Sequence, residues 1–313
     1  MNKALLVGLT DYKEKPLEGP INDINCLEKI LSKHYDGAKN FDCGKIIRTS
    51  TRKKLREKLI EFFCSEDVDT LFFHFSGHGK ICANEGYLVT TDAEYYDFGI
   101  SVRELLSLAN NAKAKNTLIT LDCCYSGKCG IITDFGSNNS VLLSKGVSII
   151  TASTEKQPSI EDNGMGIFSS LLYEALDAAA DILGKISIPS IYSHIEQAFN
   201  AWEQRPLMKS NLTSSCVIRK AKPKIDINIL RKITELFKLP AEDLKLSPEY
   251  EPENSKCDDK KVEDFKILKK FRNIGLVEPV EADDMYFVAM GSKFCRLTAL
   301  GKYYWRLVSE GKI

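Results

Sequence analysis

Short, nearly unbroken apolar runs alternate along the first two thirds of the chain with longer segments whose apolar residues recur at spacings of three and four. The runs at 3–8, 45–48, 71–75, 86–90, 118–121 and 147–152 read as strands, and 21–31, Arg52–Phe63, 102–108, 166–179 and 190–202 read as amphipathic helices. Ser50 or Thr51, and Ser101, stand where N-caps of two of these helices belong. Strands apolar on both faces and separated by helices predict a mostly parallel central sheet covered by helices. Residues 128–146, rich in Gly, Ser and Asn, read as a long loop.

The pattern changes after the basic stretch Arg219, Lys220, Lys222 and Lys224, read as a linker. A helix is expected at 227–237, a polar segment at 247–259 and a second helix at 262–272. Gly275-Leu276-Val277 then leads into a hairpin through Asp283 and Asp284, and Leu297-Thr298-Ala299-Leu300-Gly301 opens a last helix. This order resembles a small α+β winged-helix domain. The expected division is therefore a domain over 1–222 and a second over 225–313.

Composition narrows the classes. The 313 residues are 43% hydrophobic and 27% charged, with a formal net charge of zero. That is ordinary globular composition without bulk attraction to nucleic acid or an anionic membrane. No apolar run approaches the roughly 18 residues that cross a bilayer, and residues 4–7 are too short for a signal-peptide core. The 10 cysteines are scattered, and a chain of this size needs no disulfide framework, so a cytoplasmic protein with reduced thiols is expected. Cys124 and Cys129 alone are too few ligands for zinc.

Two strands run into turns with reactive side chains. The run 71–75 leaves through Ser76-Gly77-His78-Gly79, and 118–121 through Asp122-Cys123-Cys124-Tyr125-Ser126-Gly127. In open α/β sheets the carboxyl ends of the strands carry the chemistry. A thiolate is a strong nucleophile, and a His within reach can take its proton and later return it to a leaving amine. Cys124 and His78 are the candidates. The His precedes the Cys, at close to the roughly 50-residue separation of the caspase signature. Strand parity sends Cys123 to the opposite face, as core. His74, inside an apolar strand, reads as structural.

The two motifs together resemble the caspase-like cysteine peptidases, above all metacaspases and prokaryotic orthocaspases, whose pattern is H-G followed by D-x-C-H-S-G. Asp122, Cys124, Ser126 and Gly127 match, and Tyr125 stands in place of the usual His. The resemblance implies an oxyanion hole from the amides of Gly79 and Cys124. It also implies a pocket for a basic side chain formed by Asp122 and by Asp23, the last residue of a G-x-x-N-D stretch at the first long helix. Cleavage of proteins after Arg or Lys follows, because paired carboxylates select a cation. The Q-A-C-R-G form of caspases that cut after Asp is absent. Many metacaspases use calcium; Asp92, Glu94 and Asp97 lie beyond the His strand, but three acids fall short of the six to eight oxygens Ca2+ takes, and no cofactor or metal is expected.

Two other readings use the same residues: a catalytically silent caspase-like scaffold, and a nucleic-acid-binding regulator acting through the C-terminal module. Residues 225–313 carry 16 Lys and Arg against 16 Asp and Glu, without the basic excess of a DNA-binding domain. A regulatory protein partner is therefore expected rather than nucleic acid. Phe287, Phe294, Tyr303, Tyr304 and Trp305 are expected mostly in the core, with an exposed one as an anchor. Resemblance to prokaryotic caspase-like proteins with appended modules implies a regulated protease in a defence or cell-death pathway.

Overall fold

The computed structural model describes residues 1–83, 85–123, 142–152, 161–162, 164–198, 206–214 and 216–313. They form two compact units, Met1–Ala180 with Gly184–Lys222, and Asp181–Leu183 with Pro223–Ile313.

In the first unit the order is β1 (Asn2–Leu9), α1 (Gly19–Leu31), β2 (Phe41–Arg48), α2 (Arg52–Phe63), β3 (Thr70–Ser76), β4 (Gly79–Cys82), β5 (Glu85–Glu94), β6 (Asp97–Ser101), α3 (Val102–Asn110), β7 (Asn116–Asp122) and β8 (Val147–Thr151). There follow β9 (Glu161–Asp162), β10 (Met165–Gly166), α4 (Ile167–Ala178), β11 (Lys185–Ser187), α5 (Ile188–Ala198), β12 (Leu207–Ser210) and β13 (Val217–Lys220). The main sheet has the order β12-β8-β7-β3-β1-β2. All its pairings are parallel except β12 on β8. The mostly parallel, helix-covered sheet read from the apolar runs is thus the observed fold.

Strand alternation divides the core into two layers. Leu5, Val7, Leu71, Phe73, Phe75, Ile119, Leu121 and Cys123 pack with α2 and α3, whereas Ala4, Leu6, Phe72 and Leu118 pack with α1, α4 and α5. Helix α1 lies so close to β1 that a Cβ at Gly8 would stand 2.6 Å from both Ile24 Cγ1 and the Pro20 carbonyl oxygen. Of the two candidates Ser50 and Thr51 it is Thr51 that caps α2, and Ser101 caps α3 as expected, accepting from the amides of Lys54 and Glu104.

Several expectations change. The run at 86–90 is a strand, but β5 lies in a separate antiparallel sheet, β4-β5-β6, because the chain turns back at Gly79 instead of crossing over a helix. Arg219 is not a linker residue. It is buried, and its guanidinium donates to the carbonyls of Ile30 (3.0 Å), Lys33 (3.2 Å) and Leu176 (2.8 Å), so one cation satisfies the open carbonyl ends of α1 and α4. Lys220 continues β13, its amide donating to His34 Nδ1 and its carbonyl accepting from Tyr35. Burial and Lys220 together hold the His34 imidazole below its ordinary pKa, which keeps Nδ1 an acceptor.

The second unit contains α6 (Ile227–Arg231), α7 (Ile233–Leu236), β14 (Asp243–Lys245), a 3-10 turn (Pro248–Tyr250), α8 (Asp259–Asn273), β15 (Val277–Val280), α9 (Met285–Met290), β16 (Phe294–Leu297) and α10 (Ala299–Ser309). Its antiparallel sheet is ordered β14-β16-β15. The expected helix over 227–237 is two short helices meeting at Lys232. The hairpin through Asp283 and Asp284 forms as β15 on β16, but its connection carries the helix α9 instead of a simple turn. Asp284 accepts from the Tyr286 amide as the N-cap of that helix, and Met285, Val288 and Ala289 turn into the core. Phe287, at 59% exposure, with Phe294 and Tyr303 is exposed rather than buried, while Tyr304 is core and the Trp305 indole donates to the Phe237 carbonyl.

Candidate active site

The ends of β3 and β7 carry the site. Ser76 and Asp122 are register partners, and the Gly77 amide donates to the Asp122 carbonyl across the gap at 3.2 Å. One residue further, His78 is half-buried. Its Nε2 lies 2.6 Å from the backbone carbonyl of Lys15, in the loop that follows β1. A carbonyl only accepts, so Nε2 carries the ring hydrogen and Nδ1 is the basic nitrogen. Lys15 makes this contact with φ at +56°, a conformation that a non-glycine residue adopts at a cost.

Tyr12, in the same loop, braces the turn. Its ring lies 4.5 Å from the His78 ring, its hydroxyl accepts from the His78 amide at 3.1 Å, and it donates to the Val89 carbonyl at 3.1 Å. Burial pushes this phenol well above its usual pKa, so it remains a donor. Only glycine fits at 77, because a Cβ there would stand 2.6 Å from the Tyr12 oxygen. On β4, Gly79 pairs with Leu88 while the Val89 amide donates to the His78 carbonyl. This register directs the Gly79 N–H away from β5.

The two carboxylates named in the sequence converge on the N-terminus of α4. Asp23, 1% exposed, accepts from the Gly166 amide at 3.0 Å and from the Ser76 hydroxyl at 2.7 Å. Asp122 accepts from the amide (3.1 Å) and hydroxyl (2.6 Å) of Ser169, both on Oδ2. Both acids reach within 3.4 Å of the point where a Gly166 Cβ would stand. Anions are favoured there by the free amides and dipole of the helix. Desolvation nevertheless holds the Asp122 pKa above its ordinary value, partly offset by the Ser169 hydrogen bonds.

Beneath Asp122 lies His74, fully buried between Thr120 Oγ1 (2.9 Å from Nδ1) and Ser169 Oγ (3.3 Å from Nε2). Desolvation lowers its pKa to about 3, so the ring is neutral. Cys123 is 2% exposed in the α2–α3 layer. Cys124, the candidate nucleophile, lies outside the described residues, as do Tyr125, Ser126, Gly127 and most of the loop 128–146.

Of the acids considered for calcium, the Asp92 carboxylate accepts from the Arg52 amide and Asp97 pairs with the Arg52 guanidinium. Among the described residues no group of three or more His, Cys, Asp or Glu is arranged to hold a metal, and no described helix is long and apolar enough to cross a membrane.

Sequence reasoning did not find Tyr12, Lys15, Ser76 or Ser169. Ser76 and Asp122 share strand parity with the pocket face, a usable signal. Lys15 acts through its backbone and leaves none.

The family model of the caspase domain matches residues 1–217. The chain belongs to the caspase-domain family. It is therefore a cysteine-type peptidase. Among solved structures, caspase-1 from Spodoptera frugiperda is similar over 71% of this chain and 90% of that chain, with 17% sequence identity and a TM-score of 0.51. That likeness supports the fold. No curated protein matches the chain.

Proposed function

We propose that the protein is an endopeptidase that cuts proteins after Arg or Lys, with Cys124 as nucleophile and His78 as its base. One observation carries this reading. β3 and β7 end in register at Ser76 and Asp122, so the His turn and both carboxylates belong to one sheet end, and Cys124 follows Asp122 at the offset by which His78 follows Ser76.

In the proposed reaction the Cys124 thiol gives its proton to His78 Nδ1 and the thiolate adds to the scissile carbonyl. The Gly79 and Cys124 amides stabilise the oxyanion. Nδ1–H then protonates the leaving amine as the C–N bond breaks, leaving an acyl-enzyme. Water attacks this thioester, giving a proton to Nδ1 that returns to the departing Cys124 sulfur. Asp23 and Asp122 would receive the cationic side chain before the cut, with Asp122 Oδ1 supplying an acceptor, since both of its described hydrogen bonds use Oδ2.

The second unit is proposed to regulate the peptidase through a protein partner, in a defence or cell-death setting. Exposed Tyr286, Phe287, Phe294 and Tyr303 offer anchors, and the even balance of charge disfavours nucleic acid. A peptide library treated with the wild type, C124A and H78A tests the main reading. Cleavage after Arg and Lys should appear only with the wild type, and preference for another residue before the cut would overturn it.

A further inference from the structure

The polar groups behind Asp122 have a definite direction. The Ser169 hydroxyl has one proton, and its short 2.6 Å contact gives that proton to Asp122 Oδ2. Towards His74 Nε2, at 3.3 Å, Ser169 Oγ can then only accept, so Nε2 carries the hydrogen of the neutral ring. His74 Nδ1 is left as an acceptor, and the single Thr120 Oγ1 proton goes to it at 2.9 Å rather than to the Phe73 carbonyl at 3.2 Å. The result is a chain of donors, Thr120 to His74 to Ser169 to Asp122, in which every hydrogen points towards the carboxylate. A protonated Asp122 would have to reverse it, turning the Thr120 proton away from His74 to the longer contact with the Phe73 carbonyl. The chain is buried at His74, Thr120 and Ser169, where an unmatched polar group is costly.

We infer that Ser169 is a positioning residue for substrate specificity: backed by His74 and Thr120, it fixes Asp122 in one orientation and in its charged form. Oδ1 is thereby presented to a guanidinium or ammonium. This rests on the reading of Asp122 as a pocket residue. Among the described residues the other titratable groups around this carboxylate are His74, from β3, and Asp23, from α1. The remaining partners are the neutral hydroxyls of Ser76, Thr120 and Ser169. Asp23 already accepts from the Ser76 hydroxyl and the Gly166 amide, and the donor chain gives Asp122 comparable support from the opposite side.

The test compares two fluorogenic peptides that differ only in Arg or its neutral isostere citrulline before the cut. S169A should raise KM for the Arg peptide about tenfold, the scale of one hydrogen bond to a charged group. It should leave kcat within about twofold and scarcely change cleavage of the citrulline peptide. The acid limb of kcat/KM for Arg should move to higher pH, because the lost hydrogen bond favoured the carboxylate. S169T, which keeps the hydroxyl, should restore both. Equal losses on the two peptides, in step with a fall in Tm, would show a purely structural role and overturn the inference. So would an S169T variant as stable as the wild type that still behaves like S169A. A wild type that prefers Arg alongside an unchanged S169A overturns this inference alone. A wild type indifferent to Arg and citrulline overturns the specificity reading and this inference together.

Discussion

Removing the Tyr12 hydroxyl isolates the brace on the His78 turn. Tyr12→Phe keeps the ring against the imidazole but deletes the acceptor for the His78 amide and the donor to the Val89 carbonyl, each at 3.1 Å. At about 1 kcal/mol net for each neutral hydrogen bond, the loss is about 2 kcal/mol. For a unit of this size, that lowers Tm by about 4–8 °C. A loosened His78 should also reduce kcat by about tenfold or more at little change in KM, since small misplacements of a catalytic group act on the barrier. Because the phenol stays protonated, the loss should be the same across the acidic and neutral range.

Gly77 sharpens the test. Alanine at 77 would stand 2.6 Å from the Tyr12 oxygen and 3.1 Å from Phe75 Cζ, and overpacking of this kind costs about 1–3 kcal/mol. Taking the hydroxyl away first removes the tighter contact. The Y12F/G77A double variant should therefore lose about 1 kcal/mol less than the sum of the singles, a coupling typical of groups in contact. Thermal denaturation and peptide kinetics on all four proteins measure it. Wild-type Tm and kcat in Y12F, or strict additivity in the double variant, would refute the brace.

C124A and H78A should each abolish cleavage with Tm nearly unchanged, whereas C123A should keep activity and lose about 1 kcal/mol of stability as a small core deletion; activity in C124A would move the nucleophile. With an Arg peptide, kcat/KM should fall on acidification at a pH above the ordinary Asp range, because burial raises the Asp122 pKa and protonation removes its attraction for the substrate cation; the citrulline peptide should lack that limb. If the peptidase processes itself, mass spectrometry should find cuts after lysines within residues 128–146 but none after Lys220, whose amide and carbonyl are both hydrogen-bonded. Deleting residues 225–313 should alter activation by a partner while small-peptide cleavage persists, and salt-sensitive submicromolar duplex binding by the intact chain would favour the nucleic-acid reading.

The main sheet was legible because its strands are apolar on both faces and its helices carry long, regular stripes. Ser101 was legible as a cap, and the cap of α2 to within one residue, because a cap is a local contact. Thr298 and Gly301 are a comparable case: the threonine accepts from the Gly301 amide, and a Cβ at Gly301 would be driven into the Leu276 carbonyl. β4, β6 and the short edge strands were not legible, being only three to five residues long and set by pairing partners distant in sequence. The linker reading of Arg219 failed because charge in a sequence suggests solvent. In the fold, this guanidinium serves the carbonyl ends of two helices that pattern alone could not place side by side. At the site, the candidate side chains were visible as types at strand ends, but the backbone oxygen that orients His78 was not.

Asp23 and Asp122 show why the fold and the proposed specificity are difficult to separate. Each carboxylate already has work in the folded protein without substrate, terminating the free amides of α4 at Gly166 and Ser169. The helix dipole and these hydrogen bonds favour the charged forms, while desolvation opposes them, and for Asp122 desolvation is the larger influence. An arriving guanidinium would add positive charge beside two carboxylates whose described partners are the Gly166 and Ser169 amides and the Ser76 and Ser169 hydroxyls. Its gain is thus greatest on the acid that retains an uncommitted oxygen. On the described contacts that acid is Asp122 at Oδ1, whereas Asp23 uses Oδ1 for Gly166 and Oδ2 for Ser76. Under the proposed specificity Asp23 would hold the floor of the pocket together and add its field, and Asp122 would make the direct contact. On that proposal the support behind Asp122, rather than a third acid, would govern how strongly the site distinguishes a cation from its neutral isostere.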